Sequence, residues 1–205
     1  MSAETCKGER AARREKSALS DSGRIGPGRL TFPAKPAPLP CNLTLKTMLS
    51  LGKKPKLAFK VDAFVDGKAV NVPFASLLDG PTIVSVYMRN NTSACDKQAA
   101  EMDKNEKAIV RQGFRLIAVS RDTCASHAKY AAKHGYKFTL VSDPKDHFSQ
   151  ALDAIVEKSM YGKKYLGPLR AAYLFDGDGK LIGVVPKVEA AEHGKQLLAA
   201  IAAAK

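Results

Sequence analysis

From residue 57 onward, short apolar segments alternate with longer segments in which apolar residues recur at helical spacing. The short segments have the length of strands, and the longer ones predict amphipathic helices. The predicted strands are residues 57–65, 69–72, 82–88, 114–120, 138–142, 170–175 and 180–185. The predicted helices are residues 95–112, 126–134 and 148–156 and an Ala/Leu-rich segment from about residue 189. Since strands and helices alternate in the middle of the chain, we expect parallel strand pairing there.

Turn residues separate these elements. Asp66-Gly67 lies between the first two predicted strands and favours a tight hairpin. The Asp-Gly-Asp-Gly sequence at residues 176–179 predicts a second hairpin with antiparallel strands. Gly113 and Gly135 follow predicted helices, at positions where glycine ends a helix in the left-handed conformation. A β-hairpin is therefore expected at each end of the alternating region.

The order of the elements indicates a fold class. The long predicted helix has one apolar face, formed by Ala99, Met102, Ile109 and Val110. After the helix 148–156 we expect a loop, because it contains Gly162, Gly167 and Pro168. A βαβ unit, a third strand, a hairpin and a final helix are the parts of an α/β thioredoxin-like fold. We expect a central mixed β-sheet flanked by helices, with an added N-terminal β-hairpin.

The first part of the chain differs in composition from the rest. Residues 1–55 lack apolar periodicity and contain a Pro-rich run at residues 32–40, so we expect a basic, disordered tail followed by one thioredoxin-like domain over residues 56–205. The formal net charge is +13, but the basic residues are spread along the chain and are not interleaved with aromatic residues. Nucleic acid and membrane surfaces are therefore not expected partners. No apolar segment approaches the roughly 20 residues of a membrane-spanning helix, which favours a soluble protein.

Cysteine spacing limits the chemistry. The sequence has four cysteines, at positions 6, 41, 95 and 124, with no Cys-x-x-Cys pair and no close cluster of Cys and His. Structural zinc sites and dithiol reductases need such spacings, so we expect no metal and no other cofactor. So few cysteines also do not form the framework of a secreted disulfide protein. We therefore expect a reducing compartment and a cytoplasmic location.

Cys95 is the candidate reactive residue. It follows a predicted strand and the polar segment 89–94, which places it in the first turn of the long predicted helix. Unpaired backbone N–H groups and the positive end of the helix dipole stabilise a thiolate there, and the thiolate is the reactive form of cysteine. Thr92 is in addition a candidate N-cap of this helix.

The segment from Tyr87 to Cys95, YMRNNTSAC, resembles the peroxidatic loop of the peroxiredoxins. The similarity is to the bacterioferritin comigratory protein or PrxQ branch of the AhpC/TSA family. Thr92 and Cys95 match the Thr and Cys of its Pro-x-x-x-Thr-x-x-Cys loop, and Gln98 stands where the branch often has Glu or Gln. The resemblance extends from about residue 56 to the C-terminus and includes residues 113–122, 126–130, 138–143 and 170–179.

This resemblance implies a thiol-dependent peroxidase that reduces hydrogen peroxide and small organic hydroperoxides without metal or haem. Cys95 would attack the peroxide as a thiolate and become a sulfenic acid. Arg170 stands at the position of the family's catalytic arginine and would hold both the thiolate and the peroxide oxygens. Thr92 would contribute a hydroxyl at the same oxygens. The expected partners are the hydroperoxide and thioredoxin or another thiol reductant, and the chain would be a monomer or a homodimer.

The sequence leaves open which thiol reduces the sulfenic acid. Many members of the branch have a resolving cysteine five residues after the first, but this position is Ala100. Cys124 is a possible resolving cysteine within the domain. Cys6 and Cys41, in the predicted tail, could reach the site from the same or a second subunit. The third alternative is a one-cysteine enzyme reduced by an external thiol.

One departure from the family's loop gives a rival hypothesis for function. The family's proline, seven residues before the cysteine, is Met88 in this chain. That proline shields the thiolate and shapes the loop. The rival hypothesis is a thioredoxin-like redox sensor or binding protein that keeps Cys95 but has little peroxidase turnover.

Overall fold

The computed structural model describes residues 51–160 and 162–205. Its strands are β1 (Lys60–Val65), β2 (Lys68–Pro73), β3 (Thr82–Val86), β4 (Arg115–Ser120), β5 (Thr139–Ser142), β6 (Ile155–Met160), β7 (Lys163–Pro168), β8 (Ala172–Phe175) and β9 (Leu181–Val185). Its α-helices are α1 (Ser93–Arg111), α2 (Cys124–His134), α3 (His147–Ala151) and α4 (His193–Ala204), and a short 3₁₀ helix covers Phe74–Leu78. None of the described helices has the length and apolar character to cross a membrane.

Seven strands form one mixed sheet in the order β2-β1-β5-β4-β3-β8-β9. The central strands β3, β4 and β5 are parallel to one another. The pairs β1 with β2, β1 with β5, β3 with β8 and β8 with β9 are antiparallel. The structure thus confirms the predicted mixed sheet, its parallel centre and the N-terminal hairpin β1–β2.

Two apolar cores lie on the two faces of this sheet. Alternate residues of a strand point to opposite faces, and in β3 the side chain of Ile83 belongs to one core and that of Val84 to the other. The helices α1, α2 and α4 cover the first face, whereas the 3₁₀ helix and α3 cover the second. All five residues of β3 are buried, so this strand is the centre of both cores. Its C-terminal end is therefore a rigid starting point for the loop that follows.

The predicted turns have the expected backbone conformations. Asp66 and Gly67 have φ values of 47° and 80°, and two consecutive residues with positive φ form the type I′ turn that suits a tight hairpin. Gly135 follows α2 in the left-handed conformation, with φ 78°. The second predicted hairpin is confirmed as β8–β9, where Asp176 Oδ1 accepts hydrogen bonds from the backbone N–H groups of Asp178 and Lys180.

The region after β5 differs from the prediction. The helix predicted over residues 148–156 is wrong beyond Ala151, since Asp153 has φ 52° and β6 begins at Ile155. The loop predicted around Gly162, Gly167 and Pro168 is also wrong, because β6 and β7 form a separate antiparallel two-stranded sheet. Its residues are mostly exposed or half-buried, and this sheet therefore lacks the apolar alternation by which strands are recognised.

Two smaller corrections concern helices. Val110 was expected on the buried face of α1, but its side chain is 56% exposed, whereas Met102 and Ile109 are buried. Position 110 lies 100° further round the helix than position 109, outside the buried stripe. The final helix begins at His193, a few residues later than expected.

The predicted boundary of the domain stays a prediction. Most of the predicted tail, including Cys6 and Cys41, lies outside the described residues. Within them, the backbone N–H of Gly52 donates to the carbonyl of Leu181 at 2.7 Å, and the N–H of Leu181 donates to the carbonyl of Lys53 at 3.0 Å. These bonds join the chain to β9 just before residue 56.

The helices α1 and α4 approach closely at Gly194. A Cβ atom at this position would lie 2.7 Å from the backbone carbonyl oxygen of Glu101 and would collide with the side chain of Asn105. Both groups belong to α1, and the carbonyl is part of its backbone and cannot rotate away. The absence of a side chain at Gly194 therefore sets the distance between the two helices.

The substitution Gly194→Ala tests this contact. By helix propensity alone, alanine should stabilise α4 by about 1 kcal/mol. We expect the opposite sign, a loss of about 1–3 kcal/mol from overpacking, in the free energy of unfolding measured by urea denaturation. Ala199→Gly on the exposed side of α4 is the control and should cost only the propensity difference. A stabilised Gly194→Ala variant would contradict the close approach.

Candidate active site

Cys95 lies in the first turn of α1, which begins at Ser93 just beyond the C-terminal end of β3. The N-cap residue is Thr92, with extended backbone angles, and its carbonyl accepts the N–H of Asp96 at 2.8 Å. The side chain of Cys95 is 1% exposed. The predicted position at a helix N-terminus is confirmed, and the thiol lies where backbone N–H groups and the helix dipole favour negative charge.

Arg170 reaches this thiol from another part of the sheet. Arg170 lies in the short connection between β7 and β8. Strand β8 pairs with β3, and Ala172 stands opposite Ser85. The Nη2 atom of Arg170 donates to Cys95 Sγ at 3.3 Å, and its Nη1 atom donates to Gln98 Oε1 at 2.7 Å. The structure therefore brings the two predicted residues into contact, with the positive charge against the sulfur.

Thr92 is on the exposed side of the same turn. Its hydroxyl donates to the backbone carbonyl of Arg89 at 2.9 Å and makes no capping bond to α1. A hydroxyl has one proton, so it can serve either this carbonyl or a nearby thiolate. Thr92 is the N-cap residue by position, as predicted, and its hydroxyl must leave the carbonyl of Arg89 in order to donate to the sulfur or to a ligand.

The electrostatic balance favours the thiolate of Cys95. Burial by itself raises the pKa of this thiol. The hydroxyl of Thr92, backbone groups of Arg89 and Met88 and the charge of Arg170 act in the opposite direction and together lower the pKa below its ordinary value. Hydrogen bonds and positive charge therefore outweigh desolvation, which is the arrangement of a reactive cysteine.

A network of hydrogen bonds fixes the loop before α1. The hydroxyl of Tyr87 donates to Asn90 Oδ1 at 2.7 Å, and the backbone N–H of Asn90 donates to Asp122 Oδ2 at 2.8 Å. The side-chain nitrogen Nδ2 of Asn90 donates to Ser126 Oγ at 3.0 Å. His127 is buried beside Tyr87 and Asn90. The sequence contains no signal for Asn90, because all of these partners except Tyr87 are more than 30 residues away along the chain.

Met88 faces a cavity of about 620 Å³ beside the site. The Nζ atom of Lys158, from β6, donates to Met88 Sδ at 3.0 Å. Burial lowers the pKa of Lys158, and the positive charges of Arg170 and Arg121 lower it further. Tyr165 of β7 also lines the cavity. The hairpin β6–β7 therefore forms one wall of the cavity, where the sequence predicts the end of a helix and a loop.

Cys124 is the first residue of α2 and is half-buried. It is a free cysteine, as is Cys95. Burial raises its pKa, and the negative charge of Asp62 raises it further. The pKa of Cys124 is therefore shifted in the opposite direction to that of Cys95, which favours the protonated thiol. Among the described residues, no group of three His, Cys, Asp or Glu side chains could hold a metal ion.

Comparison with known proteins gives a consistent result. The profile of the AhpC/TSA family matches residues 53–184. Peroxiredoxin Bcp of Xanthomonas campestris is 33% identical over 121 residues, which are 59% of this chain and 76% of that protein. A Mycobacterium tuberculosis protein named as a peroxiredoxin is 32% identical over 155 residues, 76% of this chain and 96% of that protein.

Solved structures show the same relationship. Peroxiredoxin Q of Xanthomonas campestris superimposes with a TM-score of 0.66 at 28% identity, over 75% of this chain and 97% of that one. A structure of the bacterioferritin comigratory protein of the same organism, described for its alkyl peroxide reduction activity, has the same TM-score and identity over 75% and 98% of the two chains. The thioredoxin-like fold predicted from the sequence is thereby confirmed. The chain belongs to the AhpC/TSA family, in its Bcp or PrxQ group of peroxiredoxins, and is a thiol-dependent peroxidase.

Proposed function

We propose that Cys95 is the peroxidatic cysteine and that the chain reduces hydrogen peroxide and small organic hydroperoxides through a Cys95 sulfenic acid. The observation that carries this proposal is the contact of 3.3 Å between Arg170 Nη2 and Cys95 Sγ in the first turn of α1. A guanidinium is charged at every physiological pH, so it stabilises the thiolate without competing for its proton. The Xanthomonas relative described for alkyl peroxide reduction supports organic hydroperoxides as substrates.

The reaction is a displacement at oxygen. The thiolate of Cys95 attacks the distal peroxide oxygen, a sulfur–oxygen bond forms, and the oxygen–oxygen bond breaks. The departing alkoxide or hydroxide takes up a proton and leaves as alcohol or water. The sulfur loses the two electrons that the peroxide gains. Arg170 and the hydroxyl of Thr92 stabilise the charge on the oxygens as it develops.

Reduction of the sulfenic acid requires a thiol. An incoming thiolate forms a disulfide with Cys95 and releases the oxygen as water, and a second thiol regenerates Cys95. The raised pKa of Cys124 keeps it from being a ready nucleophile, so we propose an external thiol such as thioredoxin. This cycle fits a reducing compartment such as the cytoplasm. Cys124 as the resolving cysteine is the competing hypothesis, and the experiment below distinguishes the two.

Steady-state consumption of hydrogen peroxide with thioredoxin and thioredoxin reductase tests the roles of the two cysteines. We expect Cys95→Ser to reduce turnover to the background, because serine cannot supply the reactive thiolate. We expect Cys124→Ser to retain turnover within about twofold of the unsubstituted chain. Loss of turnover in both variants would assign Cys124 as the resolving cysteine. A chain that reacts no faster than a free thiol with any reductant would support the redox-sensor hypothesis.

The two thiols should titrate on opposite sides of the free-cysteine value of roughly 8.5. We expect the alkylation rate of Cys95 to reach half its maximum at a pH below this value and that of Cys124 at a pH above it. The rate of peroxide reduction should fall as the pH drops through the pKa of Cys95, since the thiolate is then protonated. Mass spectrometry of the individual peptides measures both midpoints. In urea the two midpoints should converge, and a Cys95 midpoint above that of Cys124 would contradict the proposal.

The substitution Arg170→Met removes the charge next to the sulfur. We expect the second-order rate constant for hydrogen peroxide to fall by about 100-fold, the typical effect of losing one transition-state donor, and the pKa of Cys95 to rise. Stopped-flow measurement in single turnover separates this effect from the reduction step. Arg115→Met is the matched control, since Arg115 is exposed in β4 and pairs with Asp79 at 3.4 Å. Equal rates for the two variants would rule out a role for Arg170.

A further inference from the structure

A buried histidine outside the site is hydrogen-bonded to the centre of the sheet. His193, the first residue of α4, is 0% exposed, and its Nε2 atom lies 2.8 Å from the hydroxyl oxygen of Ser85. Ser85 is also 0% exposed and lies in β3. The two residues are 108 positions apart in the sequence. Nothing in the proposed chemistry uses either of them directly.

This pair continues toward the candidate active site. The hydroxyl oxygen of Ser85 accepts a hydrogen bond from Gln98 Nε2 at 3.0 Å, and the same amide group donates to the carbonyl of Val86 at 3.3 Å. On its other side, Gln98 Oε1 accepts from Arg170 Nη1 at 2.7 Å. Gln98 is 1% exposed. An unbroken chain of hydrogen bonds therefore runs from His193 through Ser85 and Gln98 to the guanidinium that contacts Cys95.

The chemistry of these groups fixes the direction of the hydrogen bonds between Arg170, Gln98 and Ser85. Arg170 can only donate, so Gln98 must turn its carbonyl oxygen toward the guanidinium and its NH₂ group toward Ser85. Ser85 thus accepts from Gln98, and the direction of its bond with His193 Nε2 depends on the tautomer of the ring. A ring with its proton on Nδ1 accepts from Ser85 and a ring with its proton on Nε2 donates to it, while Nδ1 has no hydrogen-bond partner among the described residues.

The surroundings of His193 keep it neutral. Burial lowers its pKa to about 4, and the charge of Arg170 acts in the same direction. Gln196 and Glu101, which also face it, raise the pKa by a smaller amount. A protonated ring would add a second positive charge to the core. The close approach of α4 at Gly194 brings the ring within reach of β3.

We propose that His193 is a positioning residue, which acts through Ser85 and Gln98 to hold the Arg170 guanidinium against Cys95. The inference rests on the proposed role of Cys95 and Arg170. Each member is buried or half-buried, and losing one acceptor leaves a donor unpaired and frees the next side chain to rotate. The neutral imidazole thereby couples the position of α4 to the orientation of the Arg170 guanidinium beside the Cys95 sulfur.

Ser85→Ala is the smallest change that interrupts the chain, since it removes a single oxygen atom. In the full-length chain we expect the second-order rate constant for hydrogen peroxide to fall by roughly three- to tenfold and the pH midpoint of the Cys95 thiolate to rise. The thiolate is measured by its ultraviolet absorbance, corrected with Cys95→Ser, and does not depend on turnover. His193→Leu should have the same effect, and His193→Gln, which places an amide near the former Nε2, should restore part of it.

A double-substitution cycle distinguishes positioning from structural support. In the Arg170→Met background, Ser85→Ala should cause no further loss of rate and no further shift of the midpoint, since no guanidinium remains to be positioned. Ser149→Ala is the matched control, since Ser149 is a buried serine on α3 at the opposite face of the sheet, and it should leave both quantities unchanged.

Several outcomes would overturn the inference. An unchanged rate constant and an unchanged Cys95 thiolate midpoint in Ser85→Ala would do so. An equal loss of rate on Ser85→Ala substitution in the presence and in the absence of Arg170 would also do so. If His193→Leu does not fold, the Ser85 variants still decide the question. Failure of the proposed function would look different: the unsubstituted chain would then lack peroxidase activity, while the midpoint of the Cys95 thiolate could still report coupling to Ser85.

Discussion

The contact between Arg170 and Cys95 depends on the register of two antiparallel strands. Pairing of β3 with β8 sets Ser85 opposite Ala172, and the N–H of Val86 donates to the carbonyl of Ala171 at 2.9 Å. This pairing places the residues after β3 beside those before β8. Cys95 and Arg170 thereby come into contact, although they are 75 positions apart in the sequence. A shift by one residue would turn the arginine to the other face. The two buried cores on either side of β3 oppose such a shift.

The loop that presents Cys95 is held from several directions without the family's proline. Tyr87 and Asp122, which follow β3 and β4, bind Asn90, Ser126 binds it from α2, and the Nζ atom of Lys158 contacts the thioether of Met88. These partners come from the residue after β3, from the β4–α2 connection, from α2 and from β6. Hydrogen bonds from neighbouring elements thus constrain a backbone that a proline ring constrains elsewhere in the family.

Most of the central architecture could be predicted from the sequence, because the strands β3, β4 and β5 and the helix α1 have strong apolar patterns. Cys95 could be placed because a helix start follows a buried strand. The hairpin β6–β7 could not, since most of its side chains are exposed or half-buried. The pairing of Ser85 with His193 could not be predicted either. It joins a small polar residue in an apolar strand to a histidine on a distant helix, and neither position has a local signal. Long-range contacts between single polar residues are set by tertiary packing, which sequence periodicity does not report.

The burial of Cys95 has a consequence for the rate of the cycle. A small peroxide can diffuse to a sulfur that is 1% exposed, but the thiol of a protein reductant is attached to a folded surface and cannot follow it. Residues 91–94 of the loop and first turn are exposed and Thr92 makes no side-chain capping bond, but Arg170 and Tyr130 bind Cys95 and Asp96 of the same turn. Opening of this turn to a protein thiol has to break both of these bonds. Access of a protein reductant is then gated by the opening frequency of one helical turn. Small thiols and protein thiols should consequently differ in their kinetics as reductants, even at equal redox potential.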